Sequence, residues 1–398
     1  MLRGYKYKIL PNKLQAELIN KHFGCTRLVY NLALQVKNEA YRTQNKYLSA
    51  IDLCYQLPEF KKEFTWLQEV DSQALQASIK KLDIAFKNFI KHKSGFPKYK
   101  SKHSKQSFQC PNNTRRINWN ENTLDIPKIK GIPIVLSRVF KGKIKTITIS
   151  KTPTNKYFAS VLVDTNMALP AKPKITAEKT IGIDLGLNHF IITSDGIKVD
   201  NPRYLREAMS RLKLLQKRAS KKVKGSNNRK KANLRVALQH ERTTNKRMDF
   251  LHKLSTKLIC DNQAICVENL SVSNMLKNHK LAQAITDVSW SRFIELLKYK
   301  ADWYGKTLIQ INKFEPTTKT CNNCGFVNEQ LTLKDRDWQC NVCGTLHDRD
   351  INAARNIKLA GLKLIYSGQG MSVVPVELLT VVGAVKQELT SGLVHSCI

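Results

Sequence analysis

The sequence predicts a multidomain protein of mixed α and β class, and three observations support that prediction. A chain of 398 residues is long enough for two or three domains, each with its own core. Hydrophobic residues make up 42% of it, which is typical of globular proteins. Strand-like and helical segments follow one another, and the pattern changes near residue 107 and again near residue 175.

The N-terminal region reads as one strand followed by helices. MLRGYKYKIL alternates basic and apolar residues, which predicts a strand that stops at Pro11. Helical periodicity then extends over residues 12–56, and because Gly24 interrupts it, we expect two helices. A helix-turn-helix motif and an ordinary helical hairpin both fit this pattern. A further helix is predicted over residues 72–91.

A basic loop and a strand-rich region come next. KHKSGFPKYKSKHSKQ carries Phe96 and Tyr99 between lysines, which suits base stacking, although a solvated loop also fits. Residues 107–164 contain short strand-like segments separated by Asn, Gly and Pro turns, which predict a small barrel or sandwich. The Pro- and Lys-rich stretch within residues 169–175 is the predicted interdomain linker.

The second half alternates strands with helices. KTIGIDLGLNHFIITSDG predicts a strand, a turn at Gly186 and a second strand, and QAICVENLSV predicts a buried strand. Residues 203–260 predict a helical hairpin with an apolar inner stripe and a basic outer face. WSRFIELLKYKADWYG is an amphipathic helix, and KTLIQINKF is a further strand.

Net charge indicates the partner. Lys and Arg number 67 against 31 Asp and Glu, so the formal charge is +36. Such a chain favours a polyanion, and nucleic acid is the first candidate; an anionic membrane surface is the rival. The sequence has neither a run of about 18 apolar residues nor a signal peptide. We therefore expect a cytoplasmic, nucleic-acid-binding protein without a membrane partner.

Four cysteines are spaced as zinc ligands. The pairs are Cys321 with Cys324 and Cys340 with Cys343, and a glycine follows each pair and allows a tight turn. Four thiolates at this spacing form a closed tetrahedral site for structural zinc. Two redox pairs or four unrelated thiols are the competing interpretations. A closed site leaves no open coordination position, so this zinc is predicted to be structural.

Three carboxylates lie at the ends of predicted elements. Asp184 ends the strand IGID, Glu268 ends AICVE, and Asp350 starts the helix DINAARNI. Each alone is typical of a helix cap or a turn. Together, in a chain with few acids, they match the converging carboxylates that hold two Mg²⁺ ions for phosphodiester hydrolysis.

Several motifs, GIDLG, AICVENL, CNNCG, CNVCG and HDRDINAARNI, occur in an order that resembles the TnpB/OrfB family, which is encoded in bacterial insertion sequences and related to type V CRISPR nucleases. With YKYKILPN, GCTRLVYNLAL and GFPKYK, the resemblance covers roughly residues 1–360. It implies an N-terminal strand-rich barrel over residues 1–168 with a helical insertion at about 12–104. It also implies a RuvC-like, RNase H-type nuclease domain over residues 176–366, with the zinc ribbon (318–346) inserted in it.

The resemblance also implies an activity, which is RNA-guided, Mg²⁺-dependent cleavage of double-stranded DNA in association with a transposable element. The family's catalytic residues carry over onto Asp184, Glu268 and Asp350, and its Asp-x-Asn-Ala-Ala pattern selects Asp350 over Asp348. A guide RNA and the target DNA are the implied partners, in the cytoplasm or nucleoid of a bacterium or archaeon. The alternatives are a nuclease-inactive RNA-guided regulator and a metal-dependent transposase. Residues 367–398 lack steady periodicity and are expected to form a flexible tail.

Overall fold

The computed structural model describes residues 1–111, 116–313, 315–332 and 334–367. The described chain divides into two compact units, the first formed by residues 1–167 and the second by residues from 168 onward. Helices and several sheets occur together, so the predicted mixed α and β class is confirmed. The division falls within residues 165–176, a stretch without helix or strand.

The first unit is built on a seven-stranded antiparallel sheet. Its strand order is β2-β6-β7-β1-β5-β4-β3. Alternate residues of the long strands are buried, so one face of the sheet forms a core. Pairing between the two end strands is absent from the described residues, and closure into a barrel stays a prediction. The strands are β1 (Leu2–Ile9), β2 (Gln106–Cys110), β3 (Arg116–Asn118), β4 (Thr123–Ile126), β5 (Ile129–Val135), β6 (Lys143–Lys151) and β7 (Tyr157–Asp164).

Helices are inserted between β1 and β2. Buried side chains of the first and last of them, including Val29, Leu34, Leu75 and Ile79, form a separate hydrophobic core. The elements are α1 (Lys13–Gln44), α2 (Ala50–Tyr55), α3 (Leu57–Glu63), a 3-10 helix (Thr65–Glu69) and α4 (Ser72–Ile90).

The expected break at Gly24 was wrong, because α1 is one continuous helix of 32 residues. Asn12 and Gln15 form a capping box at its start, and Asn45 ends it in the left-handed conformation. A single helical glycine costs only about 1 kcal/mol. Burial of Phe23 and Val29 on either side of Gly24 outweighs that cost. Two helices, α1 and α2, do lie within residues 12–56, but the break between them falls at residues 45–49 and not at Gly24.

The second unit contains a five-stranded sheet in the order β10-β9-β8-β11-β12. The first three strands pair antiparallel, and β11 pairs parallel with β8 and β12. A separate two-stranded hairpin, β13 with β14, directly precedes in sequence the last helix of the described residues. The strands are β8 (Thr180–Leu185), β9 (His189–Thr193), β10 (Lys198–Asp200), β11 (Ala264–Val267), β12 (Thr307–Gln310), β13 (Asp337–Gln339) and β14 (Leu346–Asp348).

Helices cover both faces of this sheet. Alternate residues of β11 contact the two layers, with Ile265 and Val267 in the larger core and Cys266 in the core that contains Ile357. The helices are α5 (Tyr204–Ser220), α6 (Asn227–Asp261), α7 (Val272–Met275), α8 (Ala282–Val288), α9 (Trp290–Trp303) and α10 (Arg349–Tyr366). Among the helices of the described residues, none is long and apolar enough to cross a membrane.

Two glycines allow α10 to lie directly on the sheet. A Cβ atom at Gly182 of β8 would overlap the carbonyl oxygen of Ala354, and one at Gly361 of α10 would overlap the side chain of Cys266. This close approach brings the start of α10 to the edge of the sheet where β8 and β11 end.

The predicted tail lies outside the described residues except for its first residue, Ser367, and its flexibility stays a prediction.

Candidate active site

Two of the three predicted carboxylates come from adjacent parallel strands. Asp184 is the fifth residue of β8, the central strand, and Glu268 directly follows β11. Ile183 and Val267 are partners in the parallel register, so the two acids are the next residues along neighbouring strands. Both side chains therefore lie at the same edge of the sheet.

Electrostatics ties the third carboxylate to the first two. Burial, and after it the negative charges of Glu268 and Asp350, together raise the pKa of Asp184 to about 8. Burial also raises the pKa of Glu268. Asp184 thus lies close enough to both Glu268 and Asp350 for their negative charges to repel its own. A bound cation would relieve that repulsion.

The three carboxylates are spread more widely than the ligands of a single ion. Among the described residues, the metal-ligating group whose atoms all lie within 4.8 Å of one another consists of four cysteines, not of these acids. Ligands of a two-ion site lie on different sides of ions that are about 3.5–4 Å apart, so a wider spread is expected there. Oxygen donors are also the ligands that Mg²⁺ prefers. The donor chemistry of the three carboxylates therefore fits Mg²⁺.

Asp348 and Asp350, which spacing alone did not distinguish, have different roles. Asp348 is the N-cap of α10 and accepts hydrogen bonds from the backbone N–H groups of Asp350 and Ile351 at 3.1 and 3.0 Å. It also forms an ion pair with Lys198. The helix begins at Arg349, so Asp350 lies in its first turn and not at its cap. Only Asp350 is electrostatically coupled to Asp184.

Two residues at the site were not singled out from the sequence. The Thr317 hydroxyl donates to Glu268 Oε1 at 2.9 Å, and this hydrogen bond partly offsets the rise in the pKa of Glu268 that burial causes. The Arg336 guanidinium donates to both oxygens of Asp350 at 3.0 and 3.3 Å. Neither residue lies in a conspicuous motif; proximity to the cysteine pairs was the available signal.

The four cysteines form a second centre. Cys321 Sγ lies 3.6 Å from Cys343 Sγ, and Cys324 Sγ lies 3.6 Å from Cys340 Sγ. A tetrahedron with Zn–S bonds of about 2.3 Å has sulfur atoms about 3.8 Å apart. A glycine with positive φ follows each pair, and its backbone N–H closes the tight turn. The N–H of the first of them, Gly325, donates to the Cys321 carbonyl at 2.9 Å. The thiol geometry fits structural zinc.

His347, which was set aside as a ligand, lies beside this centre and outside the four-cysteine group. Its Nε2 is 3.0 Å from Cys321 Sγ, and its ring contacts that of Trp338. It lies on β14, one residue before the cap of α10.

Hydrogen bonds join the cysteine region to α10. Asn352 and Asn356 of α10 donate to the Thr320 carbonyl, each at 2.7 Å, and Asn356 also donates to the Thr317 carbonyl at 2.8 Å. The Asn352 side chain in turn accepts from the Asn322 N–H at 2.9 Å. The segment that holds Thr317 against Glu268 is therefore docked on the helix that carries Asp350.

The basic hairpin predicted over residues 203–260 is formed by α5 and α6. Asp287 caps α5 by accepting from the Leu205 N–H at 3.0 Å and pairs with Arg247 of α6 at 3.0 Å. An acid that is itself buried thus orients two helices whose exposed face is basic. One cavity lies where α5 ends and α6 begins, and cationic side chains form most of its lining. These are Arg218, Lys221, Lys222, Lys231 and Arg235, and the other lining residues are Asn228 and Ala232.

The two aromatic residues of the basic loop differ in their contacts. Phe96 packs edge-on against Phe86 and Phe89 of α4, at centroid distances of 5.5 and 5.3 Å. Tyr99 is 58% exposed.

We expect Tyr99→Ala to weaken binding of single-stranded nucleic acid by about 1–3 kcal/mol because a stacking surface is lost. Phe96→Ala should in addition lower Tm. Titration and thermal unfolding test this; unchanged affinity in both variants would favour a solvated loop.

Three family models match parts of the chain. The OrfB_IS605 model, described as "Probable transposase", matches residues 159–279. A model described as "Cas12f1-like, TNB domain" matches residues 290–357, which include the four cysteines and Asp350. A third, described as "Helix-turn-helix domain", matches residues 1–46, where the structure has β1 and the single helix α1.

Relatives match over nearly the whole chain. A Streptomyces pristinaespiralis protein named "Putative RNA-guided DNA endonuclease" is 40% identical, over 93% of this chain and 92% of its own length. "Putative RNA-guided DNA endonuclease InsQ" of Escherichia coli (strain K12) is 28% identical, over 92% of this chain and 94% of its own length. The solved structure titled "Cryo-EM structure of the Cas12f1-sgRNA-target DNA complex" superposes with a TM-score of 0.56 at 14% identity, over 87% of this chain and 83% of that one. This last likeness shows a shared fold.

Proposed function

Because this chain belongs to the TnpB/OrfB family of insertion-sequence proteins, we propose that it is an RNA-guided DNA endonuclease with a RuvC-like, Mg²⁺-dependent active site. The two relatives matched along nearly their full length are named for RNA-guided cleavage of DNA. The strand order β10-β9-β8-β11-β12, with three antiparallel strands followed by two parallel ones, supports an RNase H-type nuclease domain.

The observation that carries the proposal is the electrostatic coupling of Asp184 to both Glu268 and Asp350. These acids come from the central strand, a neighbouring parallel strand and the first turn of a helix on the sheet. Mg²⁺ bound by them would supply an activated water and stabilise the leaving oxygen of a phosphodiester. Asp184, whose carboxylate the charges of both other acids act on, would be one of the residues that hold Mg²⁺.

Surrounding residues position these ligands. The Thr317 hydroxyl restricts the Glu268 carboxylate, and the α10 cap formed by Asp348 holds the first turn that presents Asp350. Arg336 contacts the Asp350 carboxylate. We propose that the zinc ribbon acts on catalysis only through this positioning, since its four thiolates leave no coordination site for substrate.

Guide RNA and target DNA would bind to the basic surfaces. A charge of +36 and the basic face of α5 and α6 support phosphate contacts. In a pairing-based nuclease, the RNA reads the target sequence, and the protein reads the heteroduplex backbone and a short adjacent DNA motif. This division of roles accounts for the excess of 67 Lys and Arg over 31 Asp and Glu.

The test is sequencing of RNA that copurifies with the protein, followed by cleavage assays with and without that RNA. We expect one structured RNA whose removal abolishes DNA cutting and whose affinity falls steeply with salt, because many phosphates are neutralised. Binding of RNA and DNA without cutting would favour the regulator, and strand joining would favour the transposase. Absence of a bound RNA after gentle purification, with no effect of nuclease treatment, would refute RNA guidance.

A further inference from the structure

A small cavity in the first unit is lined by basic side chains. It lies between α1, α4 and the segment leading into β2, and its volume is about 80 Å³. Arg27, Lys81, Lys100 and Lys105 line it, and the remaining lining residues include serines but no acid. The cavity is remote in sequence from the catalytic carboxylates and has no part in the cleavage chemistry described above.

The cations at this cavity lack acidic partners. Among the described residues, no carboxylate lies within 4.0 Å of the ammonium groups of Lys81, Lys100 or Lys105. Lys100 Nζ instead lies 3.5 Å from the centre of the Tyr30 ring. Burial, and after it the charge of a neighbouring lysine, lowers the pKa of Lys81 and lowers that of Lys100 to about 8. Positive charge has been brought together here at a cost that an anion would offset.

The lining is held in place by hydrogen bonds. The Asn31 side chain binds the backbone of Lys100 twice, donating to its carbonyl at 2.9 Å and accepting from its N–H at 2.8 Å. The Gln106 amide donates to the Ser104 carbonyl at 2.7 Å, and its oxygen accepts from Arg27 Nη1 at 3.2 Å. The cations are therefore presented by an ordered wall, which lowers the entropy cost of binding an anion.

We propose that this cavity binds one backbone phosphate of a nucleic acid, held between Lys81, Lys100 and Arg27. A phosphate is compact, carries full charge and accepts several hydrogen bonds, which matches converging cations and serine hydroxyls in a small cavity. The choice of a nucleic acid rests on the proposed function. RNA and DNA present the same phosphodiester chemistry, so experiment must distinguish them.

The test compares Lys81→Met and Lys100→Met, alone and combined, with Lys80→Met. Lys80 neighbours Lys81 on α4 but is exposed and does not line the cavity. Three probes are titrated over a range of salt concentrations: inorganic phosphate, the copurifying RNA, and duplex target DNA added to RNA-loaded protein. Loss of one phosphate contact should reduce the slope of log K against log salt by about 0.7 for a single strand or 0.9 for duplex DNA. The nucleic acid whose titration shows the reduced slope is the one whose phosphate binds in the cavity.

Thermal unfolding gives a second readout that also checks folding. Without nucleic acid, Lys81→Met should raise Tm because it removes a half-buried charge that lacks an acidic partner, whereas Lys80→Met should leave Tm unchanged. Inorganic phosphate should stabilise the wild-type protein and not the double variant.

Three outcomes would overturn the inference. One is unchanged slopes in both nucleic-acid arms. Another is that the variants abolish binding of inorganic phosphate while both nucleic-acid salt slopes stay unchanged. The cavity would then bind an adventitious ion only. The third is a lower Tm for Lys81→Met, which means a structural lysine. If the wild-type protein binds neither RNA nor DNA, both the proposed function and the cavity proposal are wrong. If only the cavity proposal is wrong, the wild-type protein still binds RNA and DNA.

Discussion

Asp184→Asn is expected to lower the rate of DNA cleavage by at least about 10³-fold, with binding of RNA and target DNA retained. The amide keeps the shape of the side chain but removes the negative charge with which Asp184 would hold Mg²⁺ in the proposed site. Glu268→Gln and Asp350→Asn should have effects of the same order. Single-turnover cleavage and filter binding, measured on the same RNA-loaded preparations, separate chemistry from recognition.

Asp348→Asn is the matched control for Asp350→Asn. Asparagine retains the oxygen that caps α10, so the helix start should persist and most activity should remain. Replacing Asp348 by alanine is a poorer control, since loss of a cap costs about 1 kcal/mol and would displace Asp350. Normal cutting by Asp350→Asn together with loss in Asp348→Asn would overturn the assignment. Normal cutting by all four variants would exclude this cluster as the nuclease site.

Stability provides an internal check on the Asp184 variant. The folded pKa of about 8 lies above the ordinary value of an aspartic acid, so ionisation of this carboxyl opposes folding. Without metal, the destabilisation begins as pH exceeds about 4 and grows until pH passes the folded pKa. Asp184→Asn should therefore raise Tm at neutral pH in the absence of Mg²⁺. A lower Tm would mean that lost cleavage reflects damaged folding.

The second large effect concerns zinc. Purified protein should contain about one zinc per chain, and Cys321→Ser should lose it. Because the ligands hold together a ribbon whose hydrophobic core is small, loss of the metal should unfold residues 318–346 locally. That segment positions Thr317 and the start of α10, so cleavage should fall steeply although no zinc ligand touches DNA. Elemental analysis, proteolysis of the ribbon and cleavage rates test this.

Cys54→Ser is the control for the zinc variant. Cys54 is a free, partly buried thiol of α2 in the first unit and is not a member of the four-cysteine group. It should retain zinc and cleavage. A metal-free protein with an intact, protease-resistant ribbon would refute the zinc assignment, and normal cleavage by such a protein would refute the positioning role.

Local sequence was informative where one residue type dictates chemistry or conformation. The cysteine pairs, each followed by a glycine, predicted a cluster that the structure contains within 4.8 Å. Strand β11 was recognised because a strand buried on both faces must be apolar at every position. The break at Gly24 failed because helix propensity is a weak term, and the cores on either side of that residue decided the outcome.

The sequence by itself therefore determined the mixed α and β class, the positive net charge and the group of four cysteines, all of which follow from residue type and spacing. The choice of Asp184, Glu268 and Asp350 as candidate acids depended in addition on the resemblance to the TnpB/OrfB family. Only the tertiary structure decided which acids share one electrostatic site. Asp184, Glu268 and Asp350 are far apart in the chain and become neighbours because β8 pairs with β11 and because Gly182 admits α10 onto the sheet. Roles such as the cap formed by Asp348 and the hydrogen bond from Thr317 depend on those long-range contacts, which no local pattern encodes.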